Sequence, residues 1–202
     1  MKRLLVAALV VACGKAKPEQ ASAVGSAATS GDAAAVTASP QVRQMQPLRI
    51  EGPVDAEKRK TGAWTWAEGT ITASVQMVNG LAEGAYHRED NEEKVTGAFA
   101  SSERSGDWNY VWVSSGTTKA RGRYERDRRV GRWTLFHPGQ RVAAEGTYKA
   151  GERAPEWKFF ALDGAPLDEA KALAAHPWLA DMLPDAGTLN MDSEIVKSIM
   201  EK

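Results

Sequence analysis

The stretch "GRWTLFHPGQRVAAEGTY", Gly131 to Tyr148, decides the fold. It opens on Gly-x-Trp, breaks at the Pro-Gly pair Pro138-Gly139, and closes on Gly-x-Tyr. In its second half Val142, Ala144, Gly146 and Tyr148 fall on one side of a period of two. Arg141, Glu145 and Thr147 fall on the other. Alternation of this kind marks a half-buried antiparallel strand. A Pro-Gly break between two such runs marks a hairpin. The same alternation places Trp157 with Phe159 in "EWKFF", and Trp108 with Tyr110 and Trp112 in "DWNYVW". Further turn signals stand at Ser114 to Gly116 and in the run ending at Gly164.

Outward from this hairpin the pattern recurs. Gly-x-aromatic stands at Gly62/Trp64, Gly84/Tyr86, Gly106/Trp108 and Gly131/Trp133, and Pro155/Trp157 is a copy that has lost its glycine. A second series interleaves at Gly97/Phe99, Gly122/Tyr124 and Gly146/Tyr148, with Val75/Met77 as a weaker first member. Two interleaved series at a constant offset define an internal repeat, each unit a β-hairpin. Two readings of the glycines stay open at this point. A glycine can leave room for a Trp ring of the neighbouring strand. It can also bend the strand or supply a positive φ at a bulge.

"GRYERDRRVGRWTLFHPG" and "GTYKAGERAPEWKFFALDG" resemble the MORN repeat in the variant of bacterial YwqK-type proteins. The resemblance runs from about Gly62 to Leu167 and is strongest from Gly106 onward. It fades in "GAYHREDNEEKVTGAF", where Arg88 and Asp90 replace apolar strand residues, and at Pro155. It implies a mainly β fold, an open antiparallel meander of hairpins whose ends need capping. A helical cap is expected over 168–202. Asp168 can cap "EAKALAA", "PWLADML" offers another turn or two, and Asp192 or Ser193 can cap a final helix with an apolar stripe of Ile195, Val196, Ile199 and Met200.

Before the hairpin domain, placed at 48–167, the composition changes. Residues 13–47 are rich in Ala, Ser, Thr and Gly and carry no aromatic, so nothing there can bury a core. A coil of about 35 residues would reach roughly 30–35 Å. Residues 1–12 join a basic start, Lys2 and Arg3, to an apolar run too short to span a bilayer, which reads as a secretory leader. "VVAC", ending at Cys13, resembles the lipobox of bacterial lipoproteins. That resemblance implies lipid on Cys13, a membrane tether, and an envelope location. Gly14 in place of Asp favours the outer membrane. Cys13 is the only cysteine, so a lipidated chain has no thiol left for a disulfide, a metal or a nucleophile.

The chain carries equal numbers of acidic and basic residues, so no overall field recruits nucleic acid. No catalytic motif, cofactor loop or metal-ligand spacing is present, and His87, His137 and His176 read as solvated. "EDNEE", Glu89 to Glu93, reads as a solvated turn. Two surfaces remain as candidate sites. One is the basic run Lys119, Arg121, Arg123, Arg126, Arg128, Arg129 and Arg132, suited to carboxylate or phosphate. The other is the aromatic face, Trp64, Trp66, Trp108, Tyr110, Trp112, Trp133 and Trp157, open as a groove or covered as core. The reading is a non-catalytic, membrane-anchored envelope module that binds a protein or an envelope component. The YwqK resemblance implies the alternative of an antitoxin or immunity role. A cell-wall hydrolase is a third reading, without a recognisable acid–base pair to support it.

Overall fold

The computed structural model describes residues 47–183 and 190–202. The leader, Cys13 and the linker up to residue 46 lie outside the described residues.

The domain is an open antiparallel meander. Its strands are β1 (Arg49–Glu51), β2 (Gly62–Glu68), β3 (Ile71–Val78), β4 (Leu81–Glu89), β5 (Glu93–Ala100), β6 (Glu103–Trp112), β7 (Thr118–Glu125), β8 (Arg128–Phe136), β9 (Val142–Lys149), β10 (Glu152–Arg153), β11 (Lys158–Phe160) and β12 (Pro166–Leu167). Each pairs with its neighbour in chain order, except that β10 is a short flap on β9 and β11 continues the sheet. Among the described residues three helices follow: α1 (Glu169–Ala175), α2 (Trp178–Met182) and α3 (Met191–Glu201).

Two kinds of hairpin alternate. The tight kind turns on Asn79-Gly80, Ser101-Ser102, Arg126-Asp127 and Ala150-Gly151, every one of these residues with positive φ. Such mirror-image turns match the right-handed twist of the strands they join. Each tight turn also ties its repeat to the preceding one. The N–H groups of Gly80, Ser102, Asp127 and Gly151 donate to the carbonyls of Lys60, Ala82, Arg104 and Arg129, at 2.9–3.1 Å.

The two glycine series do different jobs. In the second series, a Cβ built on Gly97, Gly122 or Gly146 would stand 2.2–2.4 Å from the indole of Trp108, Trp133 or Trp157. Gly52, before the first repeat, lies under Trp64 in the same way. In three of the four copies the covering indole N–H donates to the carbonyl just after its glycine: Trp64 to Pro53, Trp133 to Arg123 and Trp157 to Thr147. Trp108 departs and donates to Ser105. In the first series, Gly106 and Gly131 have open space where a Cβ would be, but φ of +71° and +66°. There the glycine serves the backbone, because a Cβ in the left-handed region costs about 1–2 kcal/mol.

The sheet has an inner and an outer face. Trp108, Tyr110, Tyr124, Trp133, Leu135 and Tyr148 are buried on the inner one, where rings of successive strands meet edge to face, as Tyr124 meets Trp133 at 5.2 Å between centroids. The helices form the second layer and contribute Ala172, Leu179, Met182, Ile195, Val196 and Ile199 to the same core. Asp168 caps α1 as expected, accepting from the Lys171 N–H at 2.8 Å. The cap of α3 is Asn190, not Asp192 or Ser193.

Candidate functional site

The aromatic face is not an open groove. Trp64, Trp66, Trp108, Tyr110 and Trp133 are all at least nine-tenths buried, and only Trp112 and Trp157 keep partial exposure. Trp112 meets Trp178 of α2 edge to face at 5.1 Å. A single-layer sheet with this much aromatic area on one side must cover it, and the helices supply that cover.

The basic run does not form one cluster either. A strand sends alternate residues to opposite faces, so neighbours in sequence part company. Arg129 turns inward and is buried. Its guanidinium lies over the Trp133 ring at 4.4 Å and donates to the hydroxyls of Tyr124, at 3.2 Å, and Tyr148, at 3.0 Å. It also donates to the carbonyl of Met182, where α2 ends. Burial works against this charge, yet the facing hydroxyls of Tyr124 and Tyr148 hold its pKa above the ordinary arginine value. Lys119 is buried too, with Nζ over the Trp112 ring at 4.5 Å and 2.8 Å from a Glu93 carboxylate oxygen. Arg126 sits in a tight turn and Arg128 begins β8, both exposed.

Arg129 has counterparts that alternation alone does not reveal. A basic residue stands two places before the Gly-x-Trp position at Lys60, Arg104, Arg129 and Arg153. Each lies over an aromatic ring, at 5.2, 4.2, 4.4 and 5.4 Å respectively. This column also holds the helices. Lys60 donates to Met200 of α3, Arg153 pairs with Glu169 of α1, and Arg104 binds Asp127, which accepts from the Ser193 hydroxyl of α3.

Arg88 is a further tether, paired with three carboxylates. The break in the repeat at Arg88 and Asp90 is where the sheet receives α3. Arg88 is buried and donates to Asp90, to Glu93, and through Nε to Asp192 at 2.7 Å. Tyr86 donates to the same Asp192 oxygen at 2.9 Å. Burial lifts the Asp192 carboxyl above the ordinary carboxylate value, against the pull of Arg88 and Tyr86. The Glu89–Glu93 turn is therefore not simply solvated. His137 is buried as well, not solvated: Nε2 lies 3.0 Å from the Phe160 carbonyl and its ring 4.5 Å from that of His176. His87 is exposed beside Glu89.

What remains exposed is the outer face over β6–β9. Arg121, Arg123 and Arg132 come together there and line a shallow concavity of about 560 Å³ with Asp107, Thr134, Phe136, Val142 and Glu145. Arg132 pairs with Glu145, and Arg123 stands 3.5 Å from Asp107 and 3.7 Å from Glu125. Arg121 has no carboxylate partner among the described residues; its guanidinium lies over the Phe136 ring at 5.2 Å. Its cross-strand neighbours, Asn109 and Thr134, are neutral. Among the described residues no three His, Cys, Asp or Glu side chains gather as a metal site, and no helix is long and apolar enough to cross a membrane. No protein-family model matches the chain, and no curated protein is found to match it.

Proposed function

We propose that the protein is a lipid-anchored envelope lipoprotein whose hairpin domain is a non-catalytic binding module, with the outer face of the sheet over β6–β9 as its contact surface. One observation carries the choice of face. The helices consume the aromatic side, and Lys119 and Arg129 of the basic run are buried, which leaves Arg121, Arg123 and Arg132 exposed together on the opposite side. Exposed arginines beside an aromatic ring and an aliphatic shelf suit a protein surface better than a reaction. Lipid on Cys13 would tether the chain to the bilayer.

The test has two arms. Metabolic labelling with a fatty-acid probe should mark the wild-type chain and not Cys13→Ala; labelling of both rejects the anchor. A photo-crosslinking residue at Thr96 or Asn109, on the outer face, should capture an envelope partner in intact cells, while the same residue at Lys197 of α3 should not. Capture only from Lys197 rejects the assigned face.

A further inference from the structure

The outer-face concavity does not end at Val142 and Glu145. Both residues also line a second one, about 270 Å³, with Arg141, Phe160 and Gly164. The two therefore form one trough along the outer face from β7 to the β11–β12 turn. Its chemistry is ordered. Arg121, Arg123 and Arg132 stand at one end, Phe136, Val142 and Phe160 form the middle, and Arg141 stands at the other end.

The arginines at the two ends share a property. Arg121 is held over Phe136 and Arg141 by the carbonyls of Leu162, at 3.3 Å, and Asp163, at 2.7 Å. Ring and carbonyls fix each guanidinium in place, yet neither charge has a carboxylate partner among the described residues. Glu145, in the middle, is already engaged by Arg132. Fixed, unneutralised guanidinium groups favour carboxylates, because the planar fork can donate two parallel hydrogen bonds with little further ordering.

We infer that the trough takes an acidic polypeptide segment of a partner protein, with carboxylates at both ends of a short apolar centre, Arg121 and Arg141 receiving the two acidic ends. This rests on the outer face being the contact surface. A polyanionic strand or a lipid headgroup array fits less well, since Asp107, Glu125 and Glu145 interrupt the positive charge and would repel a uniform run of phosphates.

The test uses the full chain and synthetic peptides. One peptide carries Glu pairs on both sides of a Phe-Val centre; a second has every Glu replaced by Gln; a third has all its Glu residues on one side. Binding is read by fluorescence anisotropy, with phosphatidylglycerol vesicles and a single-stranded oligonucleotide as competing probes. The first peptide should bind best. Arg121→Gln and Arg141→Gln should each weaken it by about ten-fold, the size expected when one charge-assisted contact is lost. Arg128→Gln, exposed but outside the trough, should leave it unchanged. Thermal midpoints of the variants confirm that each is folded. Equal binding of the Glu and Gln peptides, indifference to both arginine changes, or tighter binding of vesicles or oligonucleotide overturns the inference. Crosslinking at Thr96 and Asn109 reads partner capture whatever the ligand's charge, so its success beside such a result would reject the acidic segment and leave the outer face standing.

Discussion

The six-membered ring of Trp133 occupies the place where a side chain on Gly122 would begin: two of its carbons lie 2.2 Å from an ideal Cβ there. Gly122→Ala must displace a buried indole, and overpacking of this kind costs about 1–3 kcal/mol. Gly131→Ala meets open space and bears only the cost of a left-handed φ, about 1–2 kcal/mol. The two changes should separate in a double-mutant cycle with Trp133→Leu. Removing the indole should relieve most of the Gly122→Ala penalty and leave that of Gly131→Ala intact. Urea midpoints and m-values measure both; additivity at Gly122 would show that the ring is not what forbids a side chain.

Arg129 and its neighbours in sequence should behave as different kinds of residue. Arg129→Gln removes a charged donor from the hydroxyls of Tyr124 and Tyr148 and from the carbonyl of Met182 in a dry site, although Tyr124 still meets the Tyr110 hydroxyl and Tyr148 still donates to the Leu183 carbonyl. A loss of about 3 kcal/mol or more is expected, because hydrogen bonds to a charged group contribute about 1.5–3 kcal/mol each and three of them are removed from a buried site. Arg126→Gln and Arg128→Gln, both exposed, should stay within about 0.5 kcal/mol of the parent. Chemical denaturation of the three single variants decides it, and equal stabilities would refute the buried tether.

The hairpin repeat was legible because its signals are local. Alternation in Ala144–Tyr148 and the Pro138-Gly139 break need only the period of a strand and the chemistry of a turn, but a register shift opposite Leu135 and Phe136 turns Val142 to the outer face beside Glu145, against the period-two reading. The two roles of glycine were both open in the sequence, but their division between the series depends on which strand carries the covering Trp, a relation about 11 residues away along the chain. The inward basic column was hidden for a different reason. Period-two reading assigns charge to the solvated side, and Arg129 follows Arg128 in a run that looks uniformly exposed. Its signal was positional: Lys60, Arg104, Arg129 and Arg153 keep one offset from the repeat's Trp. Arg88 has no such periodic partner. Its burial follows from Asp192, which is 104 residues distant in sequence.

Asp192 should control how firmly α3 is held. Its carboxylate receives Arg88 and Tyr86 from β4 and is itself almost wholly buried. Asp192→Ala leaves Arg88 paired with Asp90 and Glu93 but cuts the link to the helix. Amide exchange should therefore rise across Met191–Glu201 while β6–β8 keep their protection, since local opening follows the loss of local contacts. A uniform rise through the whole sheet would mean that α3 and the sheet unfold as one unit and that the pair is not a separable tether.

Acid should weaken the joint between α1 and α2 through His176. The ring sits at the end of α1, 4.5 Å from the buried His137 ring between centroids, and its backbone carbonyl accepts from Leu179 of α2. Burial, and then the neighbouring His137, lower the pKa of His176 below 6.5. The sign follows from linkage. The unfolded chain takes up the proton more readily than the folded one, so the contribution is fully present above pH 6.5 and is lost as pH falls through the folded pKa. The thermal midpoint of the parent should therefore drop as the pH is taken from about one unit above the ordinary histidine pKa to about one unit below it. His176→Gln should flatten that part of the curve, because it removes the titrating ring and keeps a polar side chain at the helix end. His87→Gln is the control, an exposed ring beside Glu89 on β4. Parallel pH curves for the parent and His176→Gln would show that the drop has another source.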